Sequence, residues 1–284
     1  METEDLPMIS IIVAVYNGVN TLKQCIDSVL VQTFANKELI VIDGGSNDGT
    51  VDLLETNSTQ ISYWISEPDK GVYNAWNKAL SEAKGEWICF LGADDYFWNN
   101  RVLEHLAQEL VFVSSDISAV YGKVMLLNNQ GDVLYPIGDP WGEVKHRFKQ
   151  VMSIPHPGLM HRRSLFERWG RFDESFRIGG DYELLLRELK SADAFFIPDI
   201  ITVAMRQGGL SSTPSNSLES LMDARRAQKL HGQAFPGPIW ISAVARVYIR
   251  LVLWEVLGEQ LARKLIDLGR KLMGLPPYWT KTKP

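Results

Sequence analysis

Cysteine is scarce in this sequence, with Cys25 and Cys89 the only two among 284 residues. A chain of this length can bury a core without disulfide bonds, and both cysteines lie within apolar patterns. We therefore expect two small buried side chains rather than a disulfide or a zinc site, which is compatible with a reducing cytoplasm.

Excess positive charge is also lacking, since the formal net charge is −5. This balance argues against a general nucleic-acid-binding protein. The N-terminus is acidic and leads directly into an apolar strand pattern, so no secretory signal is expected and we predict a cytoplasmic protein. The charge is uneven, because residues 236–284 carry eight Lys/Arg and three Asp/Glu. That contrast suggests a separate role for the C-terminal segment.

No long hydrophobic run is free of charge. The most apolar segment, 239–257, is interrupted by Arg246, Arg250 and Glu255, which argues against a membrane-spanning helix. An amphipathic helix over 239–273 fits better, either lying on the inner face of the cytoplasmic membrane or docked through protein contacts or self-association. The sequence leaves these alternatives open.

Apolar strand patterns alternate with helical patterns through the first half of the chain. We predict strands over 9–15, 39–42, 61–65 and 87–91, with helices from 22, 51 and 72 between them. Nearly continuous apolar strands indicate a mainly parallel sheet covered by helices on both faces. Ligands of such sheets bind beyond the carboxyl ends of the strands.

Those four strand ends are rich in polar residues. They read Tyr16-Asn17-Gly18, Asp43-Gly44-Gly45-Ser46-Asn47-Asp48-Gly49-Thr50, Glu67-Pro68-Asp69-Lys70-Gly71 and Gly92-Ala93-Asp94-Asp95. Each alone is compatible with turn chemistry, but four in succession favour one binding edge.

The adjacent carboxylates of Asp94 and Asp95 need a compensating charge. Mn²⁺ or Mg²⁺, with phosphate oxygens and water completing the shell, would supply it. The alternative is that Asp94 caps a helix near 99–110 and Asp95 is solvated.

Beyond residue 111 the pattern changes. A hairpin is predicted around 128–132, then helices near 163–169 and 180–190 and a strand over 194–204. Residues 208–216 are predicted to form a flexible loop that closes over a bound donor.

Several of these stretches together resemble the inverting family 2 glycosyltransferases, which have the GT-A fold. The matching stretches are 11–17, 38–50, 69–79 and 85–95, continuing more loosely to Gly170-Arg171-Phe172-Asp173 and Gly180-Asp181-Tyr182-Glu183. The match covers roughly 200 residues in the same order and ends near residue 236. It implies an α/β GT-A domain with a C-terminal helical extension. Residues 1–110 would form the nucleotide-sugar-binding half, 111–235 the acceptor and catalytic-base half, and 236–284 the extension.

The resemblance implies roles for the matching positions. Tyr16 would stack on the nucleotide base and Asp43 would accept its ring N–H, while Lys70 and Asn77 would face the donor diphosphate. Asp95 would be the direct metal ligand, with Asp94 near the ribose or the metal. Ala93 stands where the family often has a first aspartate, so the division of labour between Asp94 and Asp95 is open.

Asp181 is the predicted catalytic base, which would take the proton of an acceptor hydroxyl as that hydroxyl attacks the anomeric carbon. His156 is a candidate to line the acceptor or phosphate region. Together these assignments imply transfer from a nucleotide-diphosphate sugar, with UDP-sugars favoured, to a glycan or lipid-linked saccharide. The alternatives are a sugar nucleotidyltransferase, whose Gly-rich N-terminal signature is missing here, and a noncatalytic glycan-binding relative.

Overall fold

A single nine-stranded sheet organises the computed structural model, which describes residues 6–209 and 214–281. The strands are β1 (Ile9–Val15), β2 (Lys37–Asp43), β3 (Tyr63–Ser66), β4 (Trp87–Gly92), β5 (Tyr96–Phe97), β6 (Ala119–Leu127), β7 (Val133–Ile137), β8 (Met160–Arg162) and β9 (Phe195–Arg206). Their order is β3-β2-β1-β4-β8-β6-β9-β5, and β7 pairs with β6.

Helices cover both faces of this sheet. They are α1 (Val19–Leu30), α2 (Thr50–Thr56), α3 (Val72–Glu82), α4 (Val102–Leu110), α5 (Trp141–Phe148), α6 (Arg163–Trp169), α7 (Gly180–Leu189), α8 (Pro214–Leu230) and α9 (Pro238–Leu272). Alternate residues of β1 belong to two different hydrophobic cores: Ile11 and Val13 pack with α1 and α4, whereas Ile12 packs with α3 and α7. A strand buried on both faces is expected to be apolar, as this one is except at Ser10.

The first four strands pair in parallel, as the sequence indicated, and the second half of the sheet is mixed. Strand β8 is antiparallel to both β4 and β6. Because two antiparallel pairings restore the original direction, β6 runs the same way as β4, and β9 runs parallel to β6. The carboxyl end of β9 therefore lies at the same edge of the sheet as the ends of β1 to β4.

The second half differs from the sequence prediction in its short elements. Residues 160–162, directly before the helix predicted near 163–169, form β8 before α6 begins. Strand β5 has only two residues, too few for any periodicity to register. Helix α8 begins inside the stretch predicted as the 208–216 loop, and residues 210–213 of that loop lie outside the described residues.

The predicted C-terminal helix is present as α9. It is interrupted at Gly258, where a φ of 71° breaks the helical conformation and divides α9 into two segments. Among the described residues, no helix is long and apolar enough to cross a membrane.

Candidate active site

The carboxylates of Asp94 and Asp95 converge above Gly92 at the end of β4. A Cβ on Gly92 would stand 2.8 Å from Oδ2 of Asp95 and 2.9 Å from Oδ1 of Asp94, so both oxygens approach the same point. Asp95 is buried and Asp94 is partly exposed. Helix α4 has Arg101 at its N-cap and no side-chain cap, which excludes the alternative that Asp94 caps it.

Burial disfavours the charged form of both carboxylates. It raises the pKa of Asp95, and the neighbouring charge of Asp94 raises it further. Burial likewise raises the pKa of Asp94. Two converging carboxylates that lack full charge compensation form the oxygen donor set that Mn²⁺ or Mg²⁺ prefers. In the described part of the chain no cluster of three or more His, Cys, Asp or Glu could hold a metal, so Asp94 and Asp95 could supply only part of a coordination shell.

Arg206 is a cation of this site that the sequence analysis missed. Its backbone N–H donates to Oδ1 of Asp95 at 3.0 Å, and its charge lowers the pKa of both aspartates against the larger effect of burial. Its guanidinium donates to Oε1 of Gln24 at 2.5 Å and lies 5.7 Å from the ring of Tyr96. Arg206 is the last residue of β9, so reading the end of the predicted strand 194–204 in the same way as the first four strands would have found it.

Asp43 organises the loop after β2. Its Oδ2 accepts hydrogen bonds from the N–H groups of Gly45 (3.1 Å) and Ser46 (2.9 Å) and from the hydroxyl of Ser66 (2.6 Å). Its Oδ1 accepts the hydroxyl of Ser46. A carboxylate oxygen has two lone-pair sites, so Oδ1 has one site that none of these donors fills, although the residue itself is fully buried. The base contact predicted for Asp43 stays a prediction.

Tyr16 lies beside this loop with 65% of its surface exposed. The next residue, Asn17, adopts a positive φ of 50° and joins the two loops: its N–H donates to Oγ of Ser46 (2.7 Å), and its Oδ1 accepts from the N–H of Asn47 (3.0 Å). An exposed ring on a backbone held in this way is suited to stacking on a planar base.

The loop after β3 packs against the loop after β2. A Cβ on Gly44 would come within 2.6 Å of Oδ2 of Asp69, and Oδ1 of Asp69 accepts the N–H of Gly71 at 2.8 Å. Lys70 is exposed between them, immediately before α3 begins. The structure therefore brings Tyr16, Asp43 and Lys70 to adjoining loops.

The acidic pair adjoins the same loops. A Cβ on Gly18 would lie 3.9 Å from the side chain of Ala93, which directly precedes Asp94. The loop holding Tyr16 and the strand end holding the acidic pair are therefore neighbours.

Asn77 does not join this group, which corrects the prediction that it faces the diphosphate. Its amide donates to the carbonyl of Phe172 (2.9 Å) and to Oε1 of Glu174 (2.8 Å), and its carbonyl accepts the N–H of Phe172 (3.0 Å). Both amide hydrogens and the oxygen are thus used to hold the 172–174 loop. The neighbouring Lys78 pairs with Glu67 at 2.8 Å.

The side chain of Asp48 binds backbone groups at the starts of two helices. Its Oδ1 accepts the N–H (3.0 Å) and hydroxyl (2.5 Å) of Thr50, and its Oδ2 accepts the N–H of Val19 (3.1 Å). One carboxylate therefore satisfies the first turns of both α1 and α2.

Asp181 lies in the first turn of α7, and burial raises its pKa to about 6. The hydroxyl oxygen of Tyr73 is 3.3 Å from Oδ1 of Asp181, and that hydroxyl also donates to the carbonyl of Ile178. Because Tyr73 is the second residue of α3, Asp181 lies close to the helix start that Lys70 precedes. A carboxyl that is ionised at neutral pH yet retains appreciable basicity is suited to general base catalysis.

The two glycines before Asp181 allow close packing within the protein. A Cβ on Gly180 would lie 2.8–2.9 Å from the ring of Tyr73, and one on Gly179 would lie 2.7 Å from Cβ of Asp223. Glu183, two residues after Asp181, is held by Arg187 and by His231 at 2.8 Å.

His156 is buried within an aromatic cluster. Its ring centroid lies 5.1 Å from that of His161, 5.3 Å from that of Trp76 and 5.8 Å from that of Phe90. Burial lowers the pKa of His156 to about 3, so the ring is neutral at physiological pH. Its suggested role toward an acceptor stays a prediction.

Comparison with known proteins relates this architecture to sugar transfer. A profile of glycosyl transferase family 2 matches residues 10–167. The PGL/p-HBAD biosynthesis glycosyltransferase of Mycobacterium tuberculosis is 30% identical over 218 residues, which cover 73% of this chain and 80% of the relative.

Two solved structures share the fold. One is the mannosyltransferase PcManGT from Pyrobaculum calidifontis, in complex with GDP-Man and Mn²⁺, with a TM-score of 0.62 at 20% sequence identity. The match covers 99% of this chain and 84% of the PcManGT chain. The other is S. aureus TarS 1–349, in complex with UDP-GlcNAc, with a TM-score of 0.61 at 15% sequence identity. This match covers 93% of this chain and 77% of the TarS chain. These similarities confirm the GT-A fold indicated by the sequence.

Proposed function

Because the chain belongs to glycosyl transferase family 2 and is a glycosyltransferase, we propose that it moves a sugar, with inversion, from a UDP-sugar to a hydroxyl of a glycan or lipid-linked acceptor. The observation that carries the proposal is the convergence of Asp94 and Asp95 above Gly92, at the sheet edge where Tyr16 is exposed. An acidic pair beside an exposed aromatic ring suits a metal-bound diphosphate attached to a planar base.

The donor would lie across the loops after β1, β2 and β3. Tyr16 would stack on the base and Asp43 would accept the base N–H through Oδ1. Lys70 is exposed before the α3 N-terminus, where backbone N–H groups also favour anions, so it would contact the diphosphate. Arg206 offers a second cation for the diphosphate, beside the acidic pair. The nucleotide sugars bound by TarS and PcManGT support a donor of this class.

Asp95, with Asp94 beside it, would hold a Mn²⁺ or Mg²⁺ ion, which when bound would stabilise the negative charge of the departing nucleoside diphosphate. Asp95 is the more buried of the two, and its Oδ1 is fixed by the N–H of Arg206, leaving Oδ2 directed toward Asp94. This arrangement makes Asp95 the better direct ligand. The complex of PcManGT with Mn²⁺ supports the choice of ion.

Asp181 would act as the base in a single displacement. Its carboxylate takes the proton of the acceptor hydroxyl, the hydroxyl oxygen forms a bond to the anomeric carbon, and the bond from that carbon to the diphosphate breaks. The nucleoside diphosphate leaves with the electron pair, and attack from the opposite face inverts the anomeric configuration. With a pKa of about 6, Asp181 is mostly ionised at pH 7 and above.

The acceptor class is drawn from a relative. The mycobacterial relative is named for PGL/p-HBAD biosynthesis, and by this similarity the acceptor proposed here is a glycan or a lipid-linked saccharide. A lipid-linked acceptor would bring this enzyme to the inner face of the cytoplasmic membrane.

Product analysis tests the proposal. The purified protein is incubated with a panel of UDP- and GDP-sugars, Mn²⁺ and saccharide acceptors, and we expect nucleoside diphosphate release that depends on donor, metal and acceptor. Nuclear magnetic resonance of the product should show an inverted anomeric centre. Release of pyrophosphate from a nucleoside triphosphate and a sugar phosphate would instead indicate nucleotidyl transfer and refute the proposal.

A further inference from the structure

The first segment of α9 presents an apolar stripe to solvent. Its members share a spacing that places them on one side of the helix, each 51–71% exposed: Ile241, Tyr248, Ile249, Val252 and Val256. Val247, on the opposite side, is buried against the protein. This segment is therefore docked by one side and leaves an apolar side uncovered.

The second segment repeats the arrangement after Gly258. Its exposed leucines recur at intervals of four, three and four residues, at positions 261, 265, 268 and 272. Ala262 and Asp267 are buried on the other side. We call these two rows, one on each segment, the outer stripe of α9; together they hold nine exposed large apolar residues.

The bend between the segments is fixed by the chain end. The carboxylate of Asp267 accepts the N–H groups of Tyr278 (3.0 Å), Trp279 (3.1 Å) and Thr280 (2.7 Å). The ring of Trp279 then packs against the first segment, 4.8 Å from the Arg250 guanidinium carbon and 5.3 Å from the ring of Trp254. Both segments are thus tied to one C-terminal peptide, and the stripe is formed before any partner binds.

Cations border the outer stripe. Lys264 and Lys271 are exposed beside the leucine row, and Arg246 is exposed beside the first row. Of the nearby acids, Glu259 is paired with Arg263 at 2.5 Å and Asp267 is buried, while Glu255 is exposed beside the first row. Residues 236–284 hold eight Lys/Arg and three Asp/Glu, whereas the whole chain holds 29 Lys/Arg and 34 Asp/Glu. The chain outside this segment is therefore strongly acidic.

We propose that the outer stripe of α9 binds an anionic lipid surface, with the helix lying in the plane of the interface and its leucines in the acyl boundary. An apolar stripe bordered by Lys and Arg complements such a surface, since both apolar burial and charge attraction favour it. Pairing of the stripe with that of a second copy would bring like-charged borders together. This inference goes beyond sugar transfer and does not depend on it.

The same docking brings the active site toward the membrane. Arg270 of the second segment donates to the hydroxyl of Tyr135 (2.9 Å) on β7, and the carbonyl of Lys281 accepts from Asn128 (3.1 Å) at the end of the β6–β7 hairpin. In the turn of that hairpin, a Cβ on Gly131 would lie 3.6 Å from Nη1 of Arg206. A lipid-bound α9 therefore holds the rim of the site near the interface.

Vesicle flotation of the full chain tests the proposal. With phosphatidylcholine vesicles containing phosphatidylglycerol we expect the protein to float at low salt, with binding at least tenfold weaker to phosphatidylcholine alone. The variant Leu265→Glu/Leu268→Glu should lose at least tenfold in binding. Its control is Phe112→Glu, which changes an apolar residue outside α9 that is more exposed (78%) than Leu265 (40%) or Leu268 (54%) and should leave binding unchanged.

A second variant separates charge from apolar contact. Lys264→Glu/Lys271→Glu should reduce binding to the anionic vesicles to the level seen with phosphatidylcholine alone. All these positions are exposed, so each variant should retain the circular dichroism and unfolding temperature of the unmodified chain. The proposal is overturned if the unmodified chain stays at the bottom of the gradient with anionic vesicles, or if the leucine variant floats equally well. Sedimentation equilibrium showing a dimer that the leucine variant dissociates, without vesicle binding, would identify a second copy as the occupant.

Discussion

Burial at Asp181 sets the pH range in which the proposed base can work. Its pKa of about 6 means that activity should rise as pH increases through about 6 and then level off, because only the ionised carboxylate accepts a proton. Asp181→Asn should lower kcat by about 10²–10⁴-fold at pH 8. Steady-state rates of nucleoside diphosphate release between pH 5 and 9 measure both effects.

Asp52→Asn, an exposed change on α2, is the matched control and should leave the profile intact. Retention of more than a tenth of the rate by Asp181→Asn would exclude Asp181 as the base.

Tyr73 provides a finer test of the same carboxyl. Its hydroxyl contact with Asp181 favours the ionised form and so lowers the pKa of Asp181, against the larger opposite effect of burial. Tyr73→Phe should therefore move the midpoint of the kcat/KM profile to higher pH. A midpoint that stays in place or falls would show that Tyr73 does not tune the base.

Asp95 is expected to lower stability while serving function. Its pKa is raised by burial and by Asp94, so in the absence of metal the ionised form disfavours the folded state once the pH exceeds the unfolded value of about 4. Asp95→Asn should raise stability by about 1–2 kcal/mol at pH 8 and by nearly nothing at pH 4. The corresponding rise in unfolding temperature is roughly 3–6 °C, measured with a chelator present.

The catalytic activity of Asp95→Asn should fall although its stability rises. Asp95→Asn should abolish metal-dependent transfer, and Mn²⁺ added together with a UDP-sugar should stabilise the unmodified chain but not the variant. If the variant were less stable than the unmodified chain at pH 8, the electrostatic strain inferred at Asp95 would be refuted.

At the scale of elements, α3 anchors the loop that leads to Asp181. Asn77 makes three hydrogen bonds to 172–174 from a buried position, so Asn77→Ala leaves buried backbone groups of Phe172 without partners. We expect a loss of about 2–4 kcal/mol in unfolding free energy, with the KM for the donor changed little. Chemical denaturation and donor kinetics measure the two quantities separately.

Asn74→Ala is the matched control, since Asn74 reaches the same loop only through an exposed bond to Glu174 (2.8 Å) and should cost much less. A collapse of donor affinity in Asn77→Ala at unchanged stability would restore Asn77 as a ligand.

The elements that the sequence predicted are those with a strong local pattern. Strands β1, β2 and β4 are largely apolar because both faces are buried, and β3 is apolar although only partly buried. Helices α3 and α4 carry a regular apolar face, so each of these elements could be located from residue order alone. Strands β5 and β8 take their conformation from pairing with β9, β4 and β6, which no local pattern encodes. The same limit applies to Asn77: its offset on the helix is visible in the sequence, but the loop it binds is 95 residues away.

For the molecule as a whole, the site depends on one sheet edge where the carboxyl ends of β1 to β4 and of β9 meet. The sequence located four of these ends and missed the fifth, Arg206, because only the mixed second half of the sheet returns β9 to the same direction. Asp94, Asp95 and Asp181 could be selected from their motifs. The raised pKa values of these groups could not be predicted from the motifs, because they arise from burial by distant parts of the chain.

Donor binding should stabilise the whole fold, because the ligand joins loops from separate strands. A nucleotide sugar at about 100 times its dissociation constant contributes about 2.7 kcal/mol, which corresponds to roughly 5–10 °C in unfolding temperature. We expect this shift with a UDP-sugar and Mn²⁺ together, a smaller one with GDP-sugars, and little with Mn²⁺ alone. Tyr16→Ala should weaken the shift without altering the unfolding temperature of the unliganded chain, since its ring is 65% exposed. A shift that is equal without metal and unaffected by Tyr16→Ala would place the nucleotide elsewhere on the protein.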